Sequence, residues 1–183
     1  MNHYIAFLRG INLGRRRIKM TDLQRLFEQM KFGHVATFIA SGNVIFESRL
    51  DHAPKVEEKI EQHLARELGY DVDTFVRTRR EVQAIATAEP FSKADMASDA
   101  NTINVGVFKS SVPPDVARKL EAVRTEVDQF RVIGKEYFWL CRIKMSDSHV
   151  WDLPAVKALK FPTSSMRNLK TLRRLAEQFP AVD

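Results

Sequence analysis

A single cysteine, Cys141, rules out a disulfide within the chain and a cysteine-built structural zinc site, and it suits a reducing compartment. The five histidines, at positions 3, 34, 52, 63 and 149, show no metal-ligand spacing, so no metal site is expected. No apolar run approaches the roughly 20 residues of a membrane-spanning helix, which argues against a membrane protein. The apolar stretch Tyr4–Leu8 has no basic residue before it and no small-residue cleavage site after it, so it reads as a strand and not as a signal peptide. The expected location is the cytoplasm. The dinucleotide fingerprint, the P-loop and the Gly-Phe-Gly-Phe pattern of RNA-recognition sheets are all missing. No carboxylates stand paired for acid–base work. No cofactor is expected, and no catalytic residue is identified.

Acidic residues are also absent from two whole stretches. Residues 1–20 carry Arg9, Arg15, Arg16, Arg17 and Lys19 with no Asp or Glu, and residues 153–176 carry Lys157, Lys160, Arg167, Lys170, Arg173 and Arg174 with none. These hold 11 of the 29 basic residues, and the rest of the chain, with all 23 acids, is net acidic. The net charge of +6 therefore belongs to two segments of an otherwise mildly acidic protein, and segregation of that kind favours an anionic partner.

The pattern along the chain predicts an α/β (α+β) fold. His3–Arg9 is apolar at nearly every position, as in a central strand covered on both faces. Leu23, Leu26, Phe27 and Met30 recur at helical spacing after Thr21, a candidate N-cap, and Gly33 lies where a C-terminal cap is expected. Val35–Ala40 and Val44–Phe46 flank the turn residues Ser41-Gly42-Asn43, a hairpin. A helix over 54–68, a strand over 72–76 and a short helix over 80–88 complete the βαββαβ order of a ferredoxin-like plait. The small, polar segment 92–100 suggests a boundary, giving a first domain over 1–95 and a second over 101–183. The second begins the same order: a strand at 103–107, a helix opened by Pro113-Pro114, and a hairpin around Gly134-Lys135-Glu136. It then predicts helices over 151–159 and 164–178 and no final strand. The expectation is two ferredoxin-like plaits, the second modified and ending in helices.

Four segments could carry chemistry. The run from Arg9 to Met20 leads from a strand end to a helix start, where backbone N–H groups and nearby arginines can hold a phosphate or carboxylate; it reads equally as a turn followed by a solvated basic loop. In the expected C-terminal helix, Thr163, Ser164 and Ser165 crowd the start and Arg167 lies in the first turns, an arrangement suited to an anion and also to a plain capped amphipathic helix. Asn43, after Gly42, could present its amide to a ligand, although turns commonly accept Asn for conformational reasons. The aromatics of Tyr137-Phe138-Trp139 could stack on bases, but successive strand residues face opposite ways, so one set must be core. Cys141, in an apolar run near His149 and Asp147 or Asp152, reads as an inert core thiol in preference to a nucleophile.

The segments Arg9-Gly10-Ile11-Asn12, Lys19-Met20, Thr37–Phe46 and Met166–Leu172 resemble the bacterial family known as domain of unknown function 1697. That family opens with Arg-Gly-Ile-Asn-Val-Gly, then Lys-Met, then a Thr-Tyr-Ile-x-Ser-Gly-Asn hairpin, and carries a late Thr-x-Arg-Asn-Trp-x-Thr-Val segment. This chain departs from it at Leu13, Phe38 and Leu169. The resemblance implies a plait-like α/β architecture and no particular activity. The family's recurrent polar positions correspond to Arg9, Asn12, Lys19, Ser41, Asn43, Arg167 and Asn168. Together with Arg15, Arg16 and Arg17 these form the expected ligand-binding set.

Three functions fit these features: a non-enzymatic binder of nucleic acid or another polyanion, an enzyme acting on a small phosphorylated or carboxylated metabolite, and a protein-interaction module with an acidic partner. The first follows most directly from the segregated charge.

Overall fold

The apolar run after the N-terminus becomes the central strand of a sheet. In the computed structural model, which describes residues 1–14 and 16–181, β1 (Asn2–Leu8) is buried at every position from Tyr4 to Leu8. It is followed by α1 (Met20–Gln29), β2 (Gly33–Phe38), β3 (Asn43–Ser48), α2 (Ala53–Leu68), β4 (Thr74–Thr78) and α3 (Arg79–Thr87). The strands pair antiparallel throughout in the order β2-β3-β1-β4, the ferredoxin-like arrangement. One face carries α1 and α2 over a core of Tyr4, Leu23, Phe27, Phe32, Phe46, Ile60 and Leu64. Two details differ from expectation. The N-cap of α1 is Lys19, in extended conformation, and not Thr21. Its C-cap is Met30, with Lys31 next in the left-handed region (φ 60°), which leaves Gly33 to begin β2.

Strand β4 lies at an edge of the sheet, where unpaired N–H groups invite association with other chains. Glutamates accept three of them. Glu61 takes the Thr74 N–H at 2.8 Å, Glu57 that of Val76 at 2.9 Å and Glu81 that of Thr78 at 2.7 Å. The Thr78 hydroxyl in turn accepts the Glu81 N–H at 3.1 Å, a capping box that starts α3.

The same order recurs after α4 (Lys93–Ala97): β5 (Thr102–Phe108), α5 (Pro114–Ala122), β6 (Asp128–Ile133), β7 (Glu136–Cys141), two short 3-10 turns, α6 (Pro154–Lys157), β8 (Ser164–Asn168) and α7 (Leu169–Gln178). The strand order β6-β7-β5-β8 repeats that of the first sheet. The final strand, absent from the sequence expectation, is therefore present: β8 replaces the first five residues of the expected helix and pairs with β5. The expected helix over 151–159 is cut to a 3-10 turn and four α-helical residues, because Pro154 can only begin a helix. The expected boundary segment contains α4. Ser92 caps it, and Arg142 clamps Asp95 through two bonds of 3.0 and 3.1 Å, holding that carboxyl below the usual carboxylate range.

The chain divides into two compact units, Met1–Ile85 with Arg174–Asp183, and Ala86–Arg173. The repeat extends to single residues. Arg77 on β4 and Arg167 on β8 each occupy the penultimate strand position, are buried, and donate from Nη1 to the carbonyl of the preceding residue at 2.9 Å.

The core of the second unit gathers Phe108, Phe130, Tyr137, Trp139, Trp151 and Phe161. Asp128, only 2% exposed, accepts from Trp139 Nε1 at 2.8 Å, Ser148 Oγ at 2.9 Å and Thr125 Oγ1 at 2.9 Å. Asp128→Ala would strand these donors, the buried indole N–H among them. A loss of about 2–3 kcal/mol is expected in denaturant unfolding, with Asp128→Asn, which keeps one acceptor oxygen, retaining part of it.

Candidate functional site

The loop after β1 and the β2–β3 hairpin meet at one end of the first sheet. Leu8 donates its N–H to the Gly42 carbonyl at 2.8 Å, and Ile11, buried, packs beneath Gly42. Asn12 braces the junction in the left-handed conformation (φ 57°). Its Oδ1 accepts the Ile18 N–H at 2.8 Å and its Nδ2 points to the Ala40 carbonyl at 3.4 Å. The first of these bonds directs the chain into α1, whose Lys19 cap residue offers no side-chain hydrogen bond to the first turn. Asn12, Arg17, Ile18, Lys19, Asp22 and Ala40 line an open cleft of about 680 Å³.

The basic residues of this loop differ in their freedom. Arg17 and Lys19 are exposed and line the cleft. Arg16 stacks its guanidinium over the Tyr70 ring at 4.5 Å. Arg9 is tied to Asp73 twice, through its backbone N–H at 2.9 Å and through Nη1 at 3.3 Å, an exposed pair of small energetic weight. Arg15 lies outside the described residues. Ser41 and Asn43 serve the hairpin itself. Asn43 is fully buried, and its Nδ2 donates to the Phe38 carbonyl at 3.1 Å and to Ser41 Oγ at 2.8 Å.

Arg167 and Asn168 belong to the second unit, so the cleft is built from the first unit alone. Arg167 does not stand at a helix start facing solvent. Arg167 is a buried strand residue bonded to Ser165 Oγ at 2.9 Å, and burial lowers its pKa to about 10. Asn168 caps α7, accepting the Lys170 N–H at 2.8 Å. Other cations of the C-terminal basic stretch have partners: Lys157 with Asp152 and Lys170 with Asp99, both at 3.0 Å, and Arg173 with the Ala86 carbonyl at 3.1 Å. Arg174, in the first unit, lies 5.6 Å from the Phe38 ring at the hairpin's base. The β7 aromatics Tyr137, Phe138 and Trp139 are all buried and present no open stacking platform. Cys141 is buried with its thiol donating to the Ile143 carbonyl, and burial pushes its pKa up, the reverse of what a nucleophile needs.

Tyr70, Asp73 and Ala40 are not legible as partners of the loop, since each is brought to it from 28 residues away or more by strand pairing.

A family described as "Protein of unknown function (DUF1697)" matches residues 1–138, which include this loop, the hairpin and the whole first sheet. The chain belongs to the DUF1697 family. Among solved structures, the conserved bacterial protein SP0830 from Streptococcus pneumoniae is similar at 21% sequence identity, with a TM-score of 0.73 over 97% of this chain and 98% of that one. The likeness is one of fold. No curated protein sequence matches. Among the described residues of this DUF1697 member, no group of His, Cys, Asp or Glu could hold a metal ion, and no helix is long and apolar enough to cross a membrane.

Proposed function

We propose that the loop–hairpin cleft of the first unit binds a polyanion, with nucleic acid in the cytoplasm as the favoured ligand. The observation that carries this reading is the placement of Arg17 and Lys19, both exposed, on an open cleft at the uncapped start of α1. A helix start adds its backbone N–H groups and positive dipole end to those two charges. Arg9 and Arg16 lie on the same loop outside the cleft lining, Arg9 paired with Asp73 and Arg16 stacked on Tyr70. The Asn12 side chain ties the end of this loop, at Ile18, to the hairpin at Ala40.

The cleft volume also lies within the roughly 300–1,000 Å³ of small-molecule sites, which favours a small phosphorylated or carboxylated ligand as a second reading. Salt separates the two. Fluorescence anisotropy with a labelled single-stranded oligonucleotide is expected to show binding that falls linearly with log salt. The double variant Arg17→Glu/Lys19→Glu is expected to weaken it at least about tenfold at low salt and to reduce the slope by about 1.4. Binding of a small phosphate ester that survives high salt, without oligonucleotide binding, would favour the second reading. Oligonucleotide binding untouched by the double variant would remove the cleft from both.

A further inference from the structure

A second recess lies in the other unit and shares no residue with the cleft described above. Helix α5 and the segment carrying α6 line a trough of about 720 Å³. Its floor is apolar: Val123 and Leu159 are buried, and Val116 and Leu153 are half-buried beside them. Ala122, Ala155 and Ala158, all exposed, also line it and contribute only short side chains. The polar groups of the lining side chains are of one kind apart from a single acid. Lys119, Arg124 and Lys160 are exposed cations, and Asp115 reaches only Lys119, at 3.8 Å. Among the described residues neither Arg124 nor Lys160 has a carboxylate partner. Lys160 also holds a left-handed backbone (φ 44°), a conformation that disfavours side-chain-bearing residues.

We propose that this trough binds a long-chain carboxylate, with the aliphatic body on the Val116–Val123–Leu159 floor and the carboxylate between Arg124 and Lys160. The apolar floor supplies a non-directional driving force proportional to the area covered, and the lining side chains offer no neutral donor or acceptor that would select a polar body. The surplus of cations demands an anionic end, and a guanidinium fits a carboxylate through two parallel bonds. The volume falls in the range of small-ligand sites.

A dansyl-labelled fatty acid, used below its micelle concentration with the full chain, tests this directly. Saturable fluorescence enhancement is expected, displaced by laurate, with methyl laurate requiring at least about tenfold more because it lacks the charge. Arg124→Glu/Lys160→Glu should weaken the probe at least about tenfold, and Ala158→Trp, which fills the trough from an exposed position, should abolish binding, both with an unchanged thermal melt. Equal displacement by the methyl ester would overturn the carboxylate assignment. Undiminished binding by Ala158→Trp would overturn the site. A dimer in sedimentation equilibrium that Ala158→Trp dissociates, with no probe binding, would assign the trough to a second copy of the chain and overturn the proposal.

Discussion

Gly106→Ala is expected to cost about 3 kcal/mol of stability and to lower the thermal midpoint by about 10 °C. Gly106 sits on β5, the strand flanked by β7 and β8, directly opposite Tyr137. A Cβ at this position would lie 1.8 Å from Tyr137 Cε1 and 2.1 Å from Cζ, so the ring would have to leave. It has nowhere nearby to go. Tyr137 is 5% exposed and packed within ring contact of Phe108, Phe130, Trp151 and Phe161, and β5 cannot slide because it is paired on both sides. The glycine is needed here for space and not for its backbone, since its φ is not positive. That distinction gives the test its sign. With Tyr137→Ala already in place, Gly106→Ala should become neutral or stabilising, because glycine inside a strand is otherwise unfavourable. A loss below about 1 kcal/mol in the wild-type background, or one that persists in the Tyr137→Ala background, would show that the ring is not what the glycine accommodates.

Where local pattern and tertiary environment agree, the elements are legible in the residues. The unbroken apolar run of β1 announces a strand buried on both faces, and the stripe of Val56, Ile60 and Leu64 announces α2. Strand β8 escapes notice because its pattern is inverted. Its buried residues are Ser165 and Arg167, its exposed one is Met166, and Met166 with Leu169 and Leu172 imitates a helical stripe. The buried arginine is the reason, since a guanidinium that bonds its own strand's carbonyl and Ser165 occupies a position where an aliphatic residue would have signalled a strand. The start of α1 is displaced for a related cause. Thr21 has cap chemistry, but the Asn12 side chain takes the Ile18 N–H and sets the chain's entry two residues earlier, through a contact that no periodicity encodes. For the candidate site, residue types are legible and roles are not. Arg9, Arg16, Arg17 and Lys19 stand out as a local charge run, whereas their division into paired, stacked and exposed groups depends on Asp73 and Tyr70, which are remote in sequence. Asn43, readable as a turn residue or as a ligand-facing amide, ties the hairpin, and Asn168, placed in the expected set by the family resemblance, caps α7.

Gly42→Ala and Gly69→Ala, compared side by side, should separate backbone strain from the clasp between loop and hairpin. The two glycines have nearly the same backbone, φ +73° and +75°. Alanine in that region costs about 1–2 kcal/mol at either position. Their surroundings differ completely. Around Gly69, at the end of α2, no atom lies within 4 Å of where a Cβ would stand, so the strain is the whole effect. At Gly42 the added carbon would lie 2.5 Å from Ile11 Cγ2 and 3.1 Å from Leu8 Cβ. Leu8 is fixed in the central strand, so Ile11 must move, and with it the loop that carries Asn12. The expected total is about 3 kcal/mol for Gly42→Ala against about 1 kcal/mol for Gly69→Ala in urea unfolding. The functional readout should split more sharply. At a temperature where both variants are fully folded, Gly69→Ala should bind the oligonucleotide as the unaltered chain does. Gly42→Ala should bind at least about tenfold more weakly, because the brace that presents Arg17 and Lys19 is displaced. Equal stability losses with equal binding would mean that Ile11 yields without carrying the loop, and that the basic residues act as a loose charge run with no organised cleft.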